Sequence, residues 1–266
     1  MAEASLSADE VRKILRAGLP QESFRGRRVL LIVPDHTRTA PVGQLFKETH
    51  AWIGPVAREV DVMVALGTHP PMSQKAICHR LDLTPEQKAK DYPKVKLLNH
   101  AWDNDQTLAE IGKIPASEIR DLTGGLFERE VKVRINRAAL EYDELVILGP
   151  TFPHEVVGFS GGNKYLFPGI SGPEVLNFFH WLGAVVTNPG IIGKKWTPVR
   201  KVVDRAASMV KTRKWCASMV VRSDALLAGL HVGTPESAWD KAADQSAGLH
   251  IVRKPKPFRQ IGRAHV

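Results

Sequence analysis

Apolar residues in this chain fall into short runs, separated by longer stretches in which they recur every three to four positions. Residues 28–34, Arg-Val-Leu-Leu-Ile-Val-Pro, form one such run and predict a strand buried on both faces. Residues 60–66 predict a second strand, and residues 95–98, 144–148 and 219–221 predict further ones. Between them, residues 44–58 place Leu45, Phe46, Trp52, Ile53 and Val56 at helical spacing, with Pro55 as a breaker near the end. Helices are also predicted over 73–81, 173–186, 198–210 and 236–246. Ser73 and Thr197 are placed as caps, and Pro198 occupies the first helical position. Near the start, Ser7 and Glu10 have the spacing of a capping box.

Strand–helix alternation of this kind predicts an α/β fold: a mostly parallel, Rossmann-like sheet flanked by helices. No internal repeat or low-complexity linker interrupts it. The polar motifs cluster where strands end. The first strand runs into Asp35-His36-Thr37-Arg38, and the second into Gly67-Thr68-His69-Pro70-Pro71-Met72. The strand at 144–148 leads through Gly149-Pro150-Thr151-Phe152-Pro153 to His154. Ligands of open α/β sheets bind at the carboxyl ends of strands, so these three clusters are expected to converge on one site.

Composition narrows the class. The chain has 266 residues, 43% hydrophobic and 24% charged, an ordinary globular balance. Cys78 and Cys216 alone cannot build a disulfide framework or a thiolate metal cage. No run approaches the ~20 apolar residues of a membrane span, and the N-terminus lacks an apolar signal core. A cytoplasmic protein without membrane contacts is therefore expected. The net charge of +9 comes largely from Lys194, Lys195, Arg200, Lys201, Arg205, Lys211, Arg213 and Lys214, opposed in that stretch only by Asp204. No aromatic stacking motif or zinc-finger spacing accompanies it. It reads as a solvated helix face in the field of an anionic ligand rather than as a nucleic-acid surface.

The densest chemistry lies in Gly158-Phe159-Ser160-Gly161-Gly162-Asn163-Lys164, flanked by His154 and His180. Paired glycines allow backbone N–H groups to approach an anion, and a lysine at the loop's end can hold a phosphate or form a covalent bond. The imidazoles can move protons or bind a metal. This is not a Walker A loop, because Asn163 precedes Lys164 and Tyr165 follows it. A plain tight turn ending in a solvated lysine would use the same residues, and His180, among Phe178, Phe179 and Trp181, would equally suit an ordinary helix histidine. Asp35 and Arg38 would also make a simple turn ion pair.

The ordered set Asp35-His36-Thr37-Arg38, Gly67-Thr68-His69-Pro70-Pro71-Met72, His154, Gly158–Lys164 with Pro168-Gly169, and His180 resembles the lactate racemase family, over most of residues 28–190. These are racemases and epimerases dependent on a nickel-pincer nucleotide, a pyridinium mononucleotide whose two sulfur groups pinch a nickel ion. The resemblance implies racemisation of a lactate-like 2-hydroxy acid by hydride transfer. It also implies covalent attachment of the cofactor at Lys164, with Ser160, Gly161, Gly162 and Thr68 around it. His180 matches the imidazole that ligates nickel, and His69 and His154 match the paired acid/base residues. Asp35 and Arg38 match a further pair: Arg38 as a fork for carboxylate or phosphate, Asp35 to orient a histidine or bind ribose hydroxyls. Partners implied are a small 2-hydroxy acid and the enzymes that build the cofactor. The alternative from a different class is a non-catalytic phosphate- or nucleotide-binding α/β domain.

Two departures from the family pattern stand out. Asn163 occupies a position that is often basic. Members of the family also continue into a second α/β domain that contributes a substrate-binding lysine, and residues 1–260 are expected to represent mainly the cofactor-binding domain, with a second domain starting after about 215. Residues 261–266, Ile-Gly-Arg-Ala-His-Val, match what a sequencing-library adapter encodes. A truncated chain, inactive by itself, is the expectation.

Overall fold

The computed structural model describes residues 5–222 and 226–252. The tail at 261–266 lies outside the described residues. Its strands, in chain order, are β1 (Arg28–Pro34), β2 (Glu59–Ala65), β3 (Leu97–Asn99), β4 (Leu108–Ile114), β5 (Val131–Asn136), β6 (Glu144–Pro150), β7 (Pro153–His154), β8 (Gly158–Phe159), β9 (Arg213–Val221) and β10 (Leu227–Gly233). The helices are α1 (Ala8–Gly18), α2 (Val42–Ile53), α3 (Gln74–Arg80), α4 (Pro85–Asp91), α5 (Ala116–Thr123), α6 (Ala138–Glu141), α7 (Pro173–Val186), α8 (Asn188–Ile191), α9 (Pro198–Ser208) and α10 (Pro235–His250).

One six-stranded sheet, ordered β10-β9-β6-β1-β2-β3, organises the chain. Its neighbours pair in parallel except at the β10–β9 edge, which is antiparallel. From β1 the chain progresses outward through β2 and β3, then crosses back to place β6 on the other side of β1. The order therefore reverses between β1 and β6. At such a switch point the loops leaving neighbouring strands diverge to opposite faces and open a crevice at the carboxyl ends.

β1 shows why the sheet is buried on both sides. Val29, Leu31 and Val33 pack with α1, α2 and α3 in one core, whereas Leu30 and Ile32 pack with α5, α7 and α9 in the other. The predicted caps are formed: Ser7 and Glu10 bond reciprocally, and Ser73 and Thr197 accept from Ala76 and Arg200 N–H. α2 ends at Ile53, because Pro55 cannot continue the helical ladder.

Several elements differ from the sequence reading, among them α4, α5 and β10, which it did not place. β4 and β5 form a separate antiparallel pair under α7. The strand expected at 219–221 starts at Arg213, and it pairs with β6 from Glu144 to Pro150. The stretch after about 215, where a second domain is expected to start, thus supplies most of β9 and all of β10 in this same sheet, and α10 packs on both strands. No helix among the described residues is long and apolar enough to cross a membrane.

Candidate functional site

The loops leaving β1, β2 and β6 surround a cleft of about 210 Å³ beside α7. Its lining brings together Asp35, Arg38, Thr68, His69, His154, Ser160, Gly161, Lys164 and His180. Of the residues singled out from sequence, Gly162 alone stands behind the loop, where it is buried against Trp239.

The β1 loop is pinned from outside by Arg80, whose guanidinium donates to the carbonyls of Pro34, Arg38 and Ala40 at 3.1, 2.8 and 3.3 Å. This fixes Asp35 at the strand end, where it is almost fully buried. Its Oδ1 accepts from the backbone N–H and hydroxyl of Thr37, at 3.1 and 2.6 Å. Its Oδ2 pairs with Nδ1 of His69 from the β2 loop. Burial raises the Asp35 pKa, but the bonds from Thr37 and His69 outweigh it, and the net direction is downward. An ionised carboxylate only accepts, so His69 carries its hydrogen on Nδ1 and leaves Nε2 as the basic nitrogen.

His154 has the opposite polarity. The backbone N–H of Val156 donates to its Nδ1 at 3.1 Å, so in the neutral ring Nε2 holds the hydrogen. Burial, followed by the charges of Lys164, Arg38 and Arg200, pushes its pKa down to about 2. A neutral ring makes the 3.5 Å approach of Glu155 a polar contact rather than an ion pair.

Lys164 follows the glycine pair in a short 3₁₀ turn. No carboxylate among the described residues pairs with its ammonium, which stands 5.6 Å from the Phe179 ring centroid. Desolvation, then the neighbouring guanidiniums of Arg38 and Arg200, lower its pKa to about 7. The amine is thus available as a neutral nucleophile near physiological pH. The glycines themselves answer to packing. Gly161 has φ +85°, and a Cβ there would collide with Thr151 Oγ1. Gly162 has φ +57°, and its Cβ would lie 2.8 Å from Trp239 Cβ. The Ser160 hydroxyl bridges inward, accepting from Phe152 N–H and donating to the Pro150 carbonyl.

α7 opens with Pro173 and buries Val175, Leu176, Phe178, Phe179 and Leu182, which aims position 180 at the cleft. His180 Nδ1 lies 2.9 Å from the Leu176 carbonyl. A carbonyl only accepts, so Nδ1 bears the hydrogen and Nε2 keeps its lone pair, the arrangement of a metal-ligating imidazole. Among the described residues, no group of three or more His, Cys, Asp or Glu side chains is arranged to hold a metal ion. A metal at His180 would need further ligands from the group that carries it. An unpaired amine of lowered pKa and a single oriented imidazole on one cleft fit a metal-bearing cofactor attached through lysine.

The basic stretch 194–214 is a solvated face only in part: Lys194, Lys201 and Lys211 are exposed, but other members are buried or paired, which corrects the sequence reading. Arg200 is fully buried, Arg205 pairs with Glu118 and Arg213 with Glu144, and Lys195 bonds Asp240 and Asp244 at 2.7 Å. The balancing acids come from distant parts of the chain, so local charge counting could not find them. Arg80, Arg200 and Trp239 also escaped the sequence reading, because their roles depend on carbonyls that only the fold brings near. His100 is a core residue: Asn136 donates to its Nδ1 at 3.1 Å and its Nε2 donates to the Ser171 carbonyl at 3.0 Å.

Fold and cleft together define an α/β protein with a cationic, imidazole-rich site at the switch point of a parallel sheet. The lactate racemase N-terminal domain family matches residues 6–190, and the chain belongs to that family. It is 26% identical over 175 residues to the lactate racemase of Lactiplantibacillus plantarum, across 64% of this chain and 36% of that protein. Against the lactate racemase of Thermoanaerobacterium thermosaccharolyticum it is 27% identical over 169 residues, 59% of this chain and 33% of the relative. The chain thus spans about a third of the length of these curated relatives. A Thermotoga maritima protein of known crystal structure superposes with a TM-score of 0.85 at 27% identity, over 98% of this chain and 64% of that one. The lactate racemase apoprotein of T. thermosaccharolyticum shares the fold, with a TM-score of 0.70 at 22% identity over 90% of this chain and 54% of its own.

Proposed function

We propose that this chain carries the cofactor-binding machinery of a 2-hydroxy-acid racemase or epimerase, with a lactate-like substrate. The observation that carries this reading is the meeting, at one switch-point cleft, of two oppositely polarised histidines with an unpaired lysine and an oriented imidazole. Lys164 would hold a nickel-pincer nucleotide covalently, and His180 would ligate its metal through Nε2. When bound, that group supplies reversible acceptance of the substrate's Cα hydrogen as hydride.

The chain's own residues would do the rest. Arg38 offers a planar fork for the substrate carboxylate or a cofactor phosphate. His69, held by Asp35, takes the substrate's hydroxyl proton at Nε2. His154 presents Nε2–H and so begins as a donor to the substrate. For the opposite enantiomer the two histidines exchange roles, which requires the contact between His154 Nδ1 and Val156 N–H to break. A pair of histidines of opposite starting polarity suits a reaction that must run in both directions.

The test is intact-mass and nickel analysis of the chain co-produced with the enzymes that build the cofactor. An adduct that vanishes in Lys164→Ala is the expected result. A chain that stays unmodified, where a known lactate racemase is loaded, would count decisively against this function.

A further inference from the structure

The loop that presents Lys164 is gripped from behind by two residues outside the segment that matches the family. Arg200, on α9, has no exposed surface. Its Nη2 donates to the Phe159 carbonyl at 2.6 Å, and both Nη atoms reach the Gly161 carbonyl at 3.4 Å. Trp239, on α10, donates its indole N–H to the carbonyl between these, that of Ser160, at 2.9 Å. The guanidinium lies 4.0 Å from the Trp239 ring centroid, a stacked cation–π pair. Three consecutive loop carbonyls are therefore held inward by one arginine–tryptophan pair. The Gly161 carbonyl also accepts from the Lys164 N–H at 3.2 Å, so the turn that carries Lys164 starts at the atom Arg200 holds.

Burying an arginine is costly unless its charge is compensated. Here the acid is distant: Asp204 stands 3.7 Å from Nη1, and Nε has no partner among the described residues. The shorter bonds go to the loop carbonyls, so the guanidinium is spent on holding the loop backbone more than on an ion pair.

We propose that Arg200 and Trp239 act as a positioning clamp for Lys164: the pair fixes the backbone of the loop that presents the lysine. The importance of the clamp for cofactor loading rests on the reading of Lys164 as the attachment point. The clamp itself is a property of the unloaded chain, so the two ideas fail separately.

The experiment is acetylation of the unloaded chain by N-hydroxysuccinimide acetate at high pH, where lysine amines are neutral, with Lys164 modification followed by peptide mass. Arg200→Met removes the bonds to the Phe159 and Gly161 carbonyls. Trp239→Phe keeps an aromatic ring and the arginine but loses the indole N–H held to the Ser160 carbonyl. Each should raise the Lys164 labelling rate by about twofold or more, as the loop loosens, while surface lysines label as before. A folded Arg200→Met with the wild-type Lys164 rate overturns the proposal. Should that variant not fold, a Trp239→Phe chain with an unchanged rate overturns it as well.

Discussion

The Asp35 carboxylate and the His69 imidazole stand at the carboxyl ends of adjacent parallel strands, with the ring's Nδ1–H donated to Oδ2. The partners differ sharply in exposure: the Asp35 side chain is 4% accessible and that of His69 is 49%. A buried acceptor thus orients an accessible ring, which is one of the two roles that the sequence left open for Asp35. Both oxygens are engaged by Thr37 and His69, so a ribose hydroxyl would have to displace or share those bonds.

Asp35→Asn should release His69 from its Nδ1–H tautomer. The amide would offer its own N–H groups, and the ring would no longer be compelled to keep Nε2 free. The nitrogen shifts of His69 in the unloaded chain should move toward a tautomer mixture. An unchanged tautomer would show that Asp35 does not set the polarity of this histidine.

How much of this was legible in the sequence follows from the range of each interaction. β1, β6 and α7 could be read directly, because a run such as Val29–Val33 or a capped amphipathic stretch is a local signal. The convergence of the β1, β2 and β6 loops was legible too, since strand alternation implies the sheet and the sheet implies the switch point. The β4–β5 pair was missed although Val131, Val133 and Ile135 alternate with Lys132, Arg134 and Asn136, a period-2 signal that deserved a strand. Arg200 was unreadable for a different reason. Nothing in Pro198–Ser208 separates it from Arg205, and only the packing of α9 buries one against the lysine loop and leaves the other half-buried beside Glu118.

Lys164→Met should stabilise the unloaded fold at neutral pH. The Lys164 pKa is lowered to about 7 in the folded state, against ~10.4 in an unfolded chain. Between those values the unfolded state binds the extra proton, so wild-type stability rises with pH across that window. The advantage of methionine is therefore full below about pH 7 and fades toward pH ~10. Urea unfolding of both proteins at pH 6, 8 and 10 measures it. A variant less stable than wild type at pH 6 would mean that the ammonium finds a partner in solution.

His180→Ala should lower the nickel content of loaded protein while leaving the Lys164 adduct in place. His180 presents an Nε2 lone pair to the cleft, whereas His69 faces Asp35 and His154 is bound by Val156 N–H. His69→Ala and His154→Ala should retain metal. Equal metal loss in all three variants would refute this division of labour.

The final expectation concerns acid. His154 and His100 are buried and neutral, with pKa values pushed down to about 2 and about 4, in each case chiefly by burial, and burial moves His50 in the same direction. Unfolded histidines take up protons below pH ~6.5. As pH falls from there, the unfolded chain binds protons that these folded rings refuse, and stability declines by about 1.4 kcal/mol per pH unit for each such ring. Carboxylates titrate lower, with ordinary values near ~4, so the interval from pH 6 to 5 reports mainly on the histidines. His154→Gln should remove one ring's share of that slope. Glutamine can accept from Val156 N–H through its carbonyl, but it cannot take a proton in the unfolded state. Urea unfolding at pH 6.5, 6.0, 5.5 and 5.0 gives the slope for each protein. Parallel lines for wild type and His154→Gln would show that His154 is protonated in the folded state, and its assignment as the neutral donor of the cleft would fall with it.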